Sequence, residues 1–416
     1  MSKSGSGKPN GQSTASLNSE VGPLVLVLQG GGALGAYQAG VYHAMHEAGF
    51  EPDWVIGTSI GAINASLIVG NAPEKRLEAL QEFWNRVTRS TSGNIWSAFP
   101  QIEKSMSYWS IVTGGLDGFF KPNPMAFFGP NVRLGADQAG YYSTEPLMHT
   151  LNELVDFSLL NSKAPRLTVG AACVRTSQMR YFDTKSEQLD VRHILASGAL
   201  PPAFPAVRID GELYWDGGIL SNTPTEIVFD DNPRRNLLIF AVHVWNPTGP
   251  EPETLAEVVH RQKDIQYSSR VANHIMRQKQ THRLRHIIKE LAALLPETER
   301  NRETVKEMAS WGCQTRMHVL RLLAPSLDQE DQTKDVDFSA SGIRRRWQAG
   351  YEHTHQAIER APWRGSFDPL EGVILHEPAV VTEYRLDGLG KSGEANAAHP
   401  SAAQAASVQM PRNERA

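Results

Sequence analysis

The residue that most clearly predicts chemistry is Ser59, which lies in the pattern Gly57-Thr58-Ser59-Ile60-Gly61. The residues before it resemble a short strand and those after it a helix, and in this context Gly-x-Ser-x-Gly marks an exposed nucleophile. Gly57 and Gly61 let neighbouring segments pass closely, and the helix N-terminus favours a developing negative charge. The alternative is that Ser59 is an ordinary N-cap residue. The strand-turn-helix context favours the nucleophile.

A glycine loop at residues 30–35 (GGGALG) lies between a strand and a helix. Backbone N–H groups at the start of a helix have no intrahelical acceptor, so such a loop can bind the oxyanion of an acyl transfer. The same pattern, G-x-G-x-x-G, also occurs in dinucleotide-binding folds. Glu51 and Asp53 lie at about the spacing of a ribose ligand, but they precede the second strand, whereas that ligand should follow it. Dinucleotide binding is therefore the less favoured alternative.

A serine nucleophile needs a base, and Asp216 in Asp216-Gly217-Gly218 is a candidate. Residues 212–215 predict a short strand that runs into this glycine turn, so Asp216 lies at a strand-to-loop junction. Asp-Gly is also a common turn sequence. Two arrangements remain open: a triad completed by His243, and a dyad in which Asp216 itself accepts the proton. The dyad requires a dry pocket that raises the carboxylate pKa. His243 lies inside an apolar run, where a buried, hydrogen-bonded histidine is the expected alternative.

The elements around these residues alternate between strand and helix. Apolar runs and helical spacing predict a strand at 24–28, a helix at 37–48, a strand at 54–56 and a helix at 60–69. This βαβα order predicts a parallel sheet covered on both faces. Further strands are expected at 167–174, 179–182 and 237–244, and Thr223-Pro224-Thr225-Glu226 predicts a capping box that starts another helix.

The whole chain has the composition of a globular protein. Its 416 residues include 41 basic and 45 acidic ones, a net charge of −4 that does not suggest nucleic-acid binding. Cys173 and Cys313 lack the spacing of a zinc site or a disulfide framework, and no apolar run is long enough to span a bilayer. With no secretory signal at residues 1–20, we expect a cytoplasmic protein.

We predict four segments: a disordered tail at 1–20, a catalytic domain at 21–250, a helical C-terminal region at 251–386 and a disordered tail at 387–416. Residues 88–161 lack sustained periodicity and suit either a lid or long surface loops. Residues 255–323 are expected to be helical, followed by a last helix at 343–360.

The C-terminal region also contains a basic segment, residues 260–290. It could contact an anionic membrane surface, but a solvated helix face that pairs with Glu297, Glu299 and Glu303 is the favoured interpretation. His282 and His286 have the spacing of a metal-binding pair, and we expect solvated histidines instead.

The ordered set GGGALG, GTSIG and DGG, with ASGALPPAFP at 196–205, resembles the patatin-like phospholipase family over about residues 24–228. The resemblance implies a three-layer α/β/α fold with a mainly parallel sheet and a Ser59–Asp216 dyad without a catalytic histidine. It also implies an oxyanion hole in the glycine loop (Gly30, Gly31, Gly32, Ala33 and Gly35), chiefly from the amides of Gly31 to Ala33. The third motif ends in Gly217-Gly218 rather than Gly-Ala.

The activity implied by the resemblance is hydrolysis of lipid acyl esters through an acyl-enzyme, without a metal or organic cofactor. The expected partners are an ester substrate and, peripherally, a membrane surface. A non-catalytic alternative keeps the fold as a lipid- or partner-binding regulator with an idle serine.

Overall fold

The computed structural model describes residues 21–88, 113–129, 131–162, 164–268, 271–327 and 333–377. The two tails predicted to be disordered, 1–20 and 387–416, lie outside these residues. Within the stretch 88–161, residues 89–112 and 130 also lie outside them. Within the described residues no helix is both long and apolar enough to cross a membrane.

The strands are β1 (Leu24–Leu28), β2 (Trp54–Thr58), β3 (Lys121–Pro122), β4 (Tyr142–Ser143), β5 (Arg166–Cys173), β6 (Met179–Asp183), β7 (Val207–Ile209), β8 (Glu212–Asp216), β9 (Leu237–His243), β10 (Met317–Leu323) and β11 (Val373–His376). The main sheet has the order β11-β10-β9-β1-β2-β5-β8-β7, with β6 also paired to β5. From β11 to β5 all neighbours are parallel, and β6, β7 and β8 pair antiparallel. The sheet is therefore mainly parallel, as predicted.

The helices are α1 (Ala36–Glu47), α2 (Ile60–Val69), α3 (Pro73–Val87), α4 (Glu145–Leu154), α5 (Phe157–Leu160), α6 (Val191–Ser197), α7 (Glu226–Phe229), α8 (Leu255–Ser268), α9 (Val271–Leu294), α10 (Glu297–Arg300), α11 (Glu303–Ser310) and α12 (Ala340–Arg360). The predicted βαβα order at residues 24–69 is confirmed, because these residues form β1, α1, β2 and α2 within two residues of the expected bounds.

Alternation along the strands divides the core into two layers. The leucines of β1 pack with α1, α2, α3 and α12 on one face of the sheet. The valines of β1 pack with Ile275 of α9 and with Val228 and Phe229 of α7 on the other face. Helices therefore cover both faces of the sheet, which is the three-layer α/β/α architecture.

The region after residue 250 is helical but also contributes strands. Residues 317–323 were predicted to be helical, and this was wrong: they form β10, which pairs parallel with β9 along its whole length. β11 then pairs with β10. The apolar run at 317–323 is compatible with both a helix and a strand pattern. It forms a strand because it can pair with the backbone of β9, which has no other neighbour on that side among the described strands.

Two histidines of α9 are also placed differently from the prediction. His282 and His286 are buried rather than solvated. The two ring nitrogens of His286 lie 3.0 Å from the Pro369 carbonyl and 2.9 Å from the Thr315 carbonyl. These carbonyls precede β10 and β11, so α9 packs against the edge that these two strands add to the sheet.

The described part of the stretch 88–161 has more secondary structure than the sequence predicted. Besides α4 and α5 it contains the two-stranded ribbon of β3 and β4. The amides of Tyr141 and Tyr142 donate to the carbonyls of Pro202 and Ala203, at 3.1 and 2.9 Å. This stretch is thereby fixed to the segment that follows α6.

Candidate active site

Ser59 lies at the carboxyl end of β2, where the chain turns into α2. Its backbone has φ 57° and ψ −126°, a left-handed conformation that is rare for residues other than glycine. Ser59 holds the N-cap position, but its side chain caps no helix N–H. The hydroxyl instead lies close enough to the Asp216 carboxylate to lower the pKa of that group. The N-cap alternative therefore does not account for the side chain.

The two flanking glycines are packed against the backbone. A Cβ on Gly57 would lie 2.3 Å from the Gly61 carbonyl oxygen, and one on Gly61 would lie 2.3 Å from that of Leu28. A side chain at position 57 would collide with the backbone of the turn itself, and one at position 61 would collide with β1. The predicted reason for Gly57 and Gly61, close passage of neighbouring segments, is thus found in the structure.

The backbone of Ser59 has a support that the sequence analysis did not identify. The Ser59 N–H donates to Ser197 Oγ at 2.9 Å, and the Ser197 hydroxyl donates to the Gly170 carbonyl at 2.6 Å. Ser197 is the last residue of α6 and belongs to the run ASGALPPAFP. It joins the turn at Ser59 to the neighbouring strand β5.

Strand register brings Asp216 to the level of Ser59. Thr58 pairs with Gly170 of β5, and the next residue of β5, Ala171, pairs with Asp216. Because β6 pairs with the other side of β5 at these positions, β2 and β8 lie end to end along the same side. β8 is antiparallel to β5 and ends midway along that strand, beside the turn that carries Ser59. Strand pairing therefore brings together two segments that are far apart in sequence.

Asp216 is almost completely buried, with 3% of its surface exposed. Its N–H donates to the Ala199 carbonyl at 2.9 Å, and its Oδ1 accepts the Gly218 N–H at 2.7 Å. Burial raises the pKa of Asp216 to about 6, although the hydrogen bonds from Ser59 and Gly218 oppose the rise. Gly217 fits because a Cβ there would lie 2.5 Å from the Gly170 carbonyl oxygen.

His243, the third member of the alternative triad, is buried at the end of β9. Burial, together with the nearby positive charge of Arg321, lowers its pKa to about 3. In the part of the chain that the structure describes, His243 Nε2 has no hydrogen-bond partner, and no hydrogen bond joins this residue to Ser59 or Asp216. His243 is buried as predicted, but it is not hydrogen-bonded through this nitrogen.

The glycine loop lies beside Ser59, since a Cβ on Gly30 would be 3.0 Å from the Ser59 Cβ. The Gly30 N–H is occupied, because it donates to the Asn222 carbonyl at 3.2 Å, and the Leu34 N–H donates to the Gly31 carbonyl at 3.1 Å. Among the described residues, the N–H groups of Gly31, Gly32 and Ala33 have no hydrogen-bond partner. Gly35 instead allows close packing, because a Cβ there would lie 2.5 Å from the Ile60 side chain.

Buried polar side chains hold the glycine loop in place through hydrogen bonds. Gln29, fully buried at the end of β1, accepts the N–H groups of Val244 and Trp245 at 2.6 and 3.2 Å. The Gly30 carbonyl accepts Trp245 Nε1–H at 2.7 Å and the Asn222 side-chain amide at 3.2 Å. The sequence analysis missed these residues. A glutamine that directly follows LVLVL was the available signal.

The capping box predicted at 223–226 was wrong. The helix there, α7, begins only at Glu226, and Thr225 at its N-cap makes no side-chain cap hydrogen bond. Thr223 Oγ1 accepts a hydrogen bond from Gln29 Nε2 at 2.7 Å, and Glu226 accepts one from the Ser221 hydroxyl at 2.6 Å. Thr223 therefore binds Gln29, which supports the glycine loop, and Glu226 binds Ser221, so neither side chain caps the helix.

The residues that could have held a ribose lie at the wrong end of the sheet. Glu51 and Asp53 precede β2, whereas the glycine loop follows β1 at the opposite end. Asp53 Oδ2 accepts the Leu24 N–H at 2.8 Å, and Glu51 Oε2 pairs with Arg76. The dinucleotide alternative thus has no acidic residue in place.

Comparisons with known proteins agree with these motifs. A family model described as patatin-like phospholipase matches residues 26–229, and a second model, described as patatin phospholipase, matches residues 265–370. A search of curated protein sequences found no match.

Among solved structures, the chain is similar to VipD from Legionella pneumophila, with 15% identity, a TM-score of 0.36, and coverage of 81% of this chain and 67% of VipD. It is also similar to ExoU in the ExoU–SpcU complex of Pseudomonas aeruginosa, with 14% identity, a TM-score of 0.31 and coverage of 81% of this chain. The matched region spans about half of that ExoU chain (51%).

Proposed function

The chain belongs to the patatin-like phospholipase family, and from this premise we propose that it is a serine acyl hydrolase that cleaves carboxylic ester bonds of lipids. The observation that carries the proposal is that the Ser59 hydroxyl lies close enough to the buried Asp216 carboxylate to lower the pKa of that group. A serine paired directly with a base is the arrangement that nucleophilic catalysis requires.

The proposed mechanism has two acyl-transfer steps. Ser59 Oγ attacks the ester carbonyl while its proton passes to Asp216, and the protonated Asp216 then gives that proton to the departing alcohol. Water next attacks the acyl-enzyme and gives a proton to Asp216, which passes this proton to Ser59 Oγ as the ester bond breaks and the acid is released. A carboxylate with a pKa of about 6 suits this role, because it is ionised at neutral pH yet more basic than an exposed aspartate.

The amides of Gly31, Gly32 and Ala33 are the proposed donors to the oxyanion. They directly follow Gly30, which packs against Ser59, and they are not used elsewhere within the described residues. Each such donor typically contributes about 2.7–4 kcal/mol to transition-state stabilisation. We exclude the Gly30 N–H from this set, because Asn222 already occupies it.

The test is Ser59→Ala against a panel from short p-nitrophenyl esters to phospholipid vesicles, with fluorophosphonate labelling of the intact protein. We expect the wild type to hydrolyse part of the panel and to be labelled at Ser59, and the variant to do neither. Ser66→Ala is the matched control, because Ser66 lies in α2 and its hydroxyl donates only to the Ile63 carbonyl. An unlabelled wild type without turnover would favour the idle, lipid- or partner-binding alternative.

Peripheral membrane contact is the remaining part of the proposal. Arg277 and Arg283 of α9 are exposed and have no ion-pair partner among the described residues, and the neighbouring Leu284 is also exposed. The expected pairing of the basic segment with Glu297, Glu299 and Glu303 is not found within those residues; Lys263 and Lys279 pair instead with Asp335 and Glu371. Cosedimentation with phosphatidylglycerol vesicles, compared with Arg277→Gln/Arg283→Gln, tests the contact. The cytoplasmic location remains a prediction.

A further inference from the structure

Two adjacent residues of α8 and two adjacent residues of the turn Lys334–Val336 are joined by two ion pairs. Lys263 Nζ lies 2.7 and 3.0 Å from the carboxylate oxygens of Asp335, and Lys334 Nζ lies 2.8 Å from Asp264 Oδ1. Each segment thus contributes one lysine and one aspartate, and each lysine pairs with the aspartate of the other segment. We call this set, Lys263, Asp264, Lys334 and Asp335, the crossed clamp.

The inner pair of the crossed clamp is buried. The side chains of Lys334 and Asp264 are 4% and 6% exposed, and Lys334 Nζ also lies 3.0 Å from His260 Nε2. A buried ion pair contributes less to stability than its Coulomb energy suggests, because both charges lose their hydration. It does fix one relative position of the two segments.

That position matters because the Asp335 carbonyl packs directly on Gly32. A Cβ on Gly32 would lie 2.2 Å from the Asp335 carbonyl oxygen, and the Gly32 backbone is left-handed at φ 55°. The Gly32 N–H is one of the three amides without a partner within the described residues. A shift of Asp335 would therefore displace a proposed oxyanion donor.

The other end of the crossed clamp reaches the start of the same loop. Asp264 Oδ1 accepts the Asn246 N–H at 3.3 Å, and the adjacent Trp245 donates its ring N–H to the Gly30 carbonyl at 2.7 Å. Three residues further along α8, the Tyr267 carbonyl accepts hydrogen bonds from the side-chain amides of Gln29 and Asn222, at 3.2 and 3.3 Å. The start of the glycine loop and its third residue, Gly32, are thus both connected to α8.

We propose that the crossed clamp is a positioning device for the glycine loop, with Lys263 and Asp335 as the residues that set where the amides of Gly31 to Ala33 point. The proposal rests on the hydrolase function proposed above. It gives the C-terminal region a role in catalysis through Lys263 and Asp335, which act on the loop and not on the reacting atoms. Donors held in place before the reaction stabilise an oxyanion without reorganisation, and the crossed clamp supplies that rigidity.

The experiment compares Lys263→Met, Asp335→Asn and the double variant on a short p-nitrophenyl ester. The concentration of competent enzyme is taken from the end point of fluorophosphonate titration, so that unfolded protein does not count. We expect kcat to fall by about 10- to 100-fold in each single variant, because a small displacement of positioned groups has effects of this size. KM should change by less than about threefold, because the oxyanion exists only in the transition state.

Two further variants separate positioning from simple stabilisation. Lys263→Arg keeps the ion pair and should recover most of kcat. The double variant should be no slower than the slower single variant, because both substitutions break the same contact.

The matched control is Arg76→Met, which breaks the ion pair with Glu51. The carboxylates of the two pairs are buried to a similar degree (24% and 23% exposed), and Arg76 is more buried than Lys263 (5% against 31% exposed). The control pair lies at the opposite end of the sheet, because Glu51 precedes β2. This variant should lower the melting temperature and leave kcat unchanged.

Values of kcat within about twofold of wild type in both single variants, a range expected for surface-like effects, would overturn the positioning proposal while leaving the hydrolase function intact. If the wild type itself shows no Ser59-dependent hydrolysis, the proposed function fails, and the positioning proposal falls with it.

Discussion

Helices α3 and α8 show two opposite uses of an amphipathic segment. In α3 the buried residues are apolar except for Arg76 and recur at helical spacing, as periodicity normally predicts. In α8 the buried residues are Asp264 and Ser268, whereas Leu255 is 86% exposed and Val258, Val259 and Ile265 are also exposed. The polar side of α8 faces inward because it binds the glycine loop and the turn Lys334–Val336. Inward polarity therefore marks a helix whose contacts are specific hydrogen bonds and ion pairs rather than apolar packing.

The same difference separates the two parts of the chain. Residues 24–229 carry the motif residues with chemistry, Ser59, Asp216 and the glycine loop. The region after residue 250 carries further residues that brace that loop, in addition to Gln29, Asn222 and Trp245. Variants in the first part should abolish the reaction, and variants at the boundary should weaken it while leaving the reacting groups in place.

The largest effect is expected from Asp216→Asn. Loss of the base should lower kcat by about 10³-fold or more, near the upper range for general base catalysis. The measurement is hydrolysis of a short ester, with Asp210→Asn, an exposed aspartate in the β7–β8 turn, as control. Retained turnover in Asp216→Asn would remove this carboxylate from the mechanism.

The same variant should be more stable than the wild type above pH 6. Burial raises the folded-state pKa of Asp216 from 3.8 to about 6, so the folded protein binds this proton more tightly than the unfolded chain. The resulting stabilisation is fully present below pH 3.8 and is lost as pH rises through 6. Removal of the buried charge should then add up to about 3 kcal/mol at pH 8 and nothing near pH 3.5. Urea unfolding at the two pH values measures the difference.

Gly32→Ala disturbs the contact between the two parts of the chain and should lower kcat by about 100-fold, the size expected for one misplaced oxyanion donor. The new methyl group would meet the Asp335 carbonyl and would also sit at φ 55°. Gly211→Ala is the matched control, because Gly211 has φ 85° but nothing within 4 Å of its Cβ position. If both variants lose stability equally and keep full kcat, the Gly32 contact has no catalytic consequence.

The pH profile of the wild type gives a smaller, graded effect. Protonated Asp216 cannot accept the serine proton, so kcat/KM should fall about tenfold per pH unit below its pKa of about 6. Initial rates on a short ester from pH 4.5 to 8 test this. A profile that stays flat down to pH 4.5 would contradict a buried base with a raised pKa.

The smallest effect is expected from His243→Gln, at the border between β9 and the C-terminal strands. Because this imidazole has a pKa of about 3 and no hydrogen bond to either catalytic candidate within the described residues, kcat should stay within about twofold of wild type. The variant's circular dichroism and melting temperature provide the folding control. A collapse of kcat in a folded protein would restore the triad.

The fold around the site could be predicted because its signals are local. The run LVLVL, the turn at Ser59 and the helices at 37–48 and 60–69 each follow from periodicity and glycine placement within a few residues. The supports could not be predicted in this way. Ser197, Asn222 and Tyr267 act through individual hydrogen bonds between residues more than 40 positions apart in the chain. Such pairs produce no periodic pattern in the sequence.

By itself, the sequence determined which residue types are available for chemistry, because a serine between glycines and an aspartate before glycines are local patterns. Only the tertiary structure decided that β8 ends beside Ser59, on the same side of β5 as β2, and that burial raises the pKa of Asp216. It also decided that residues 317–323 form a strand and that α8 turns its polar side inward. The physical reason is that strand register, desolvation and long-range hydrogen bonds depend on which segments meet, and this is a property of the folded chain rather than of any one segment.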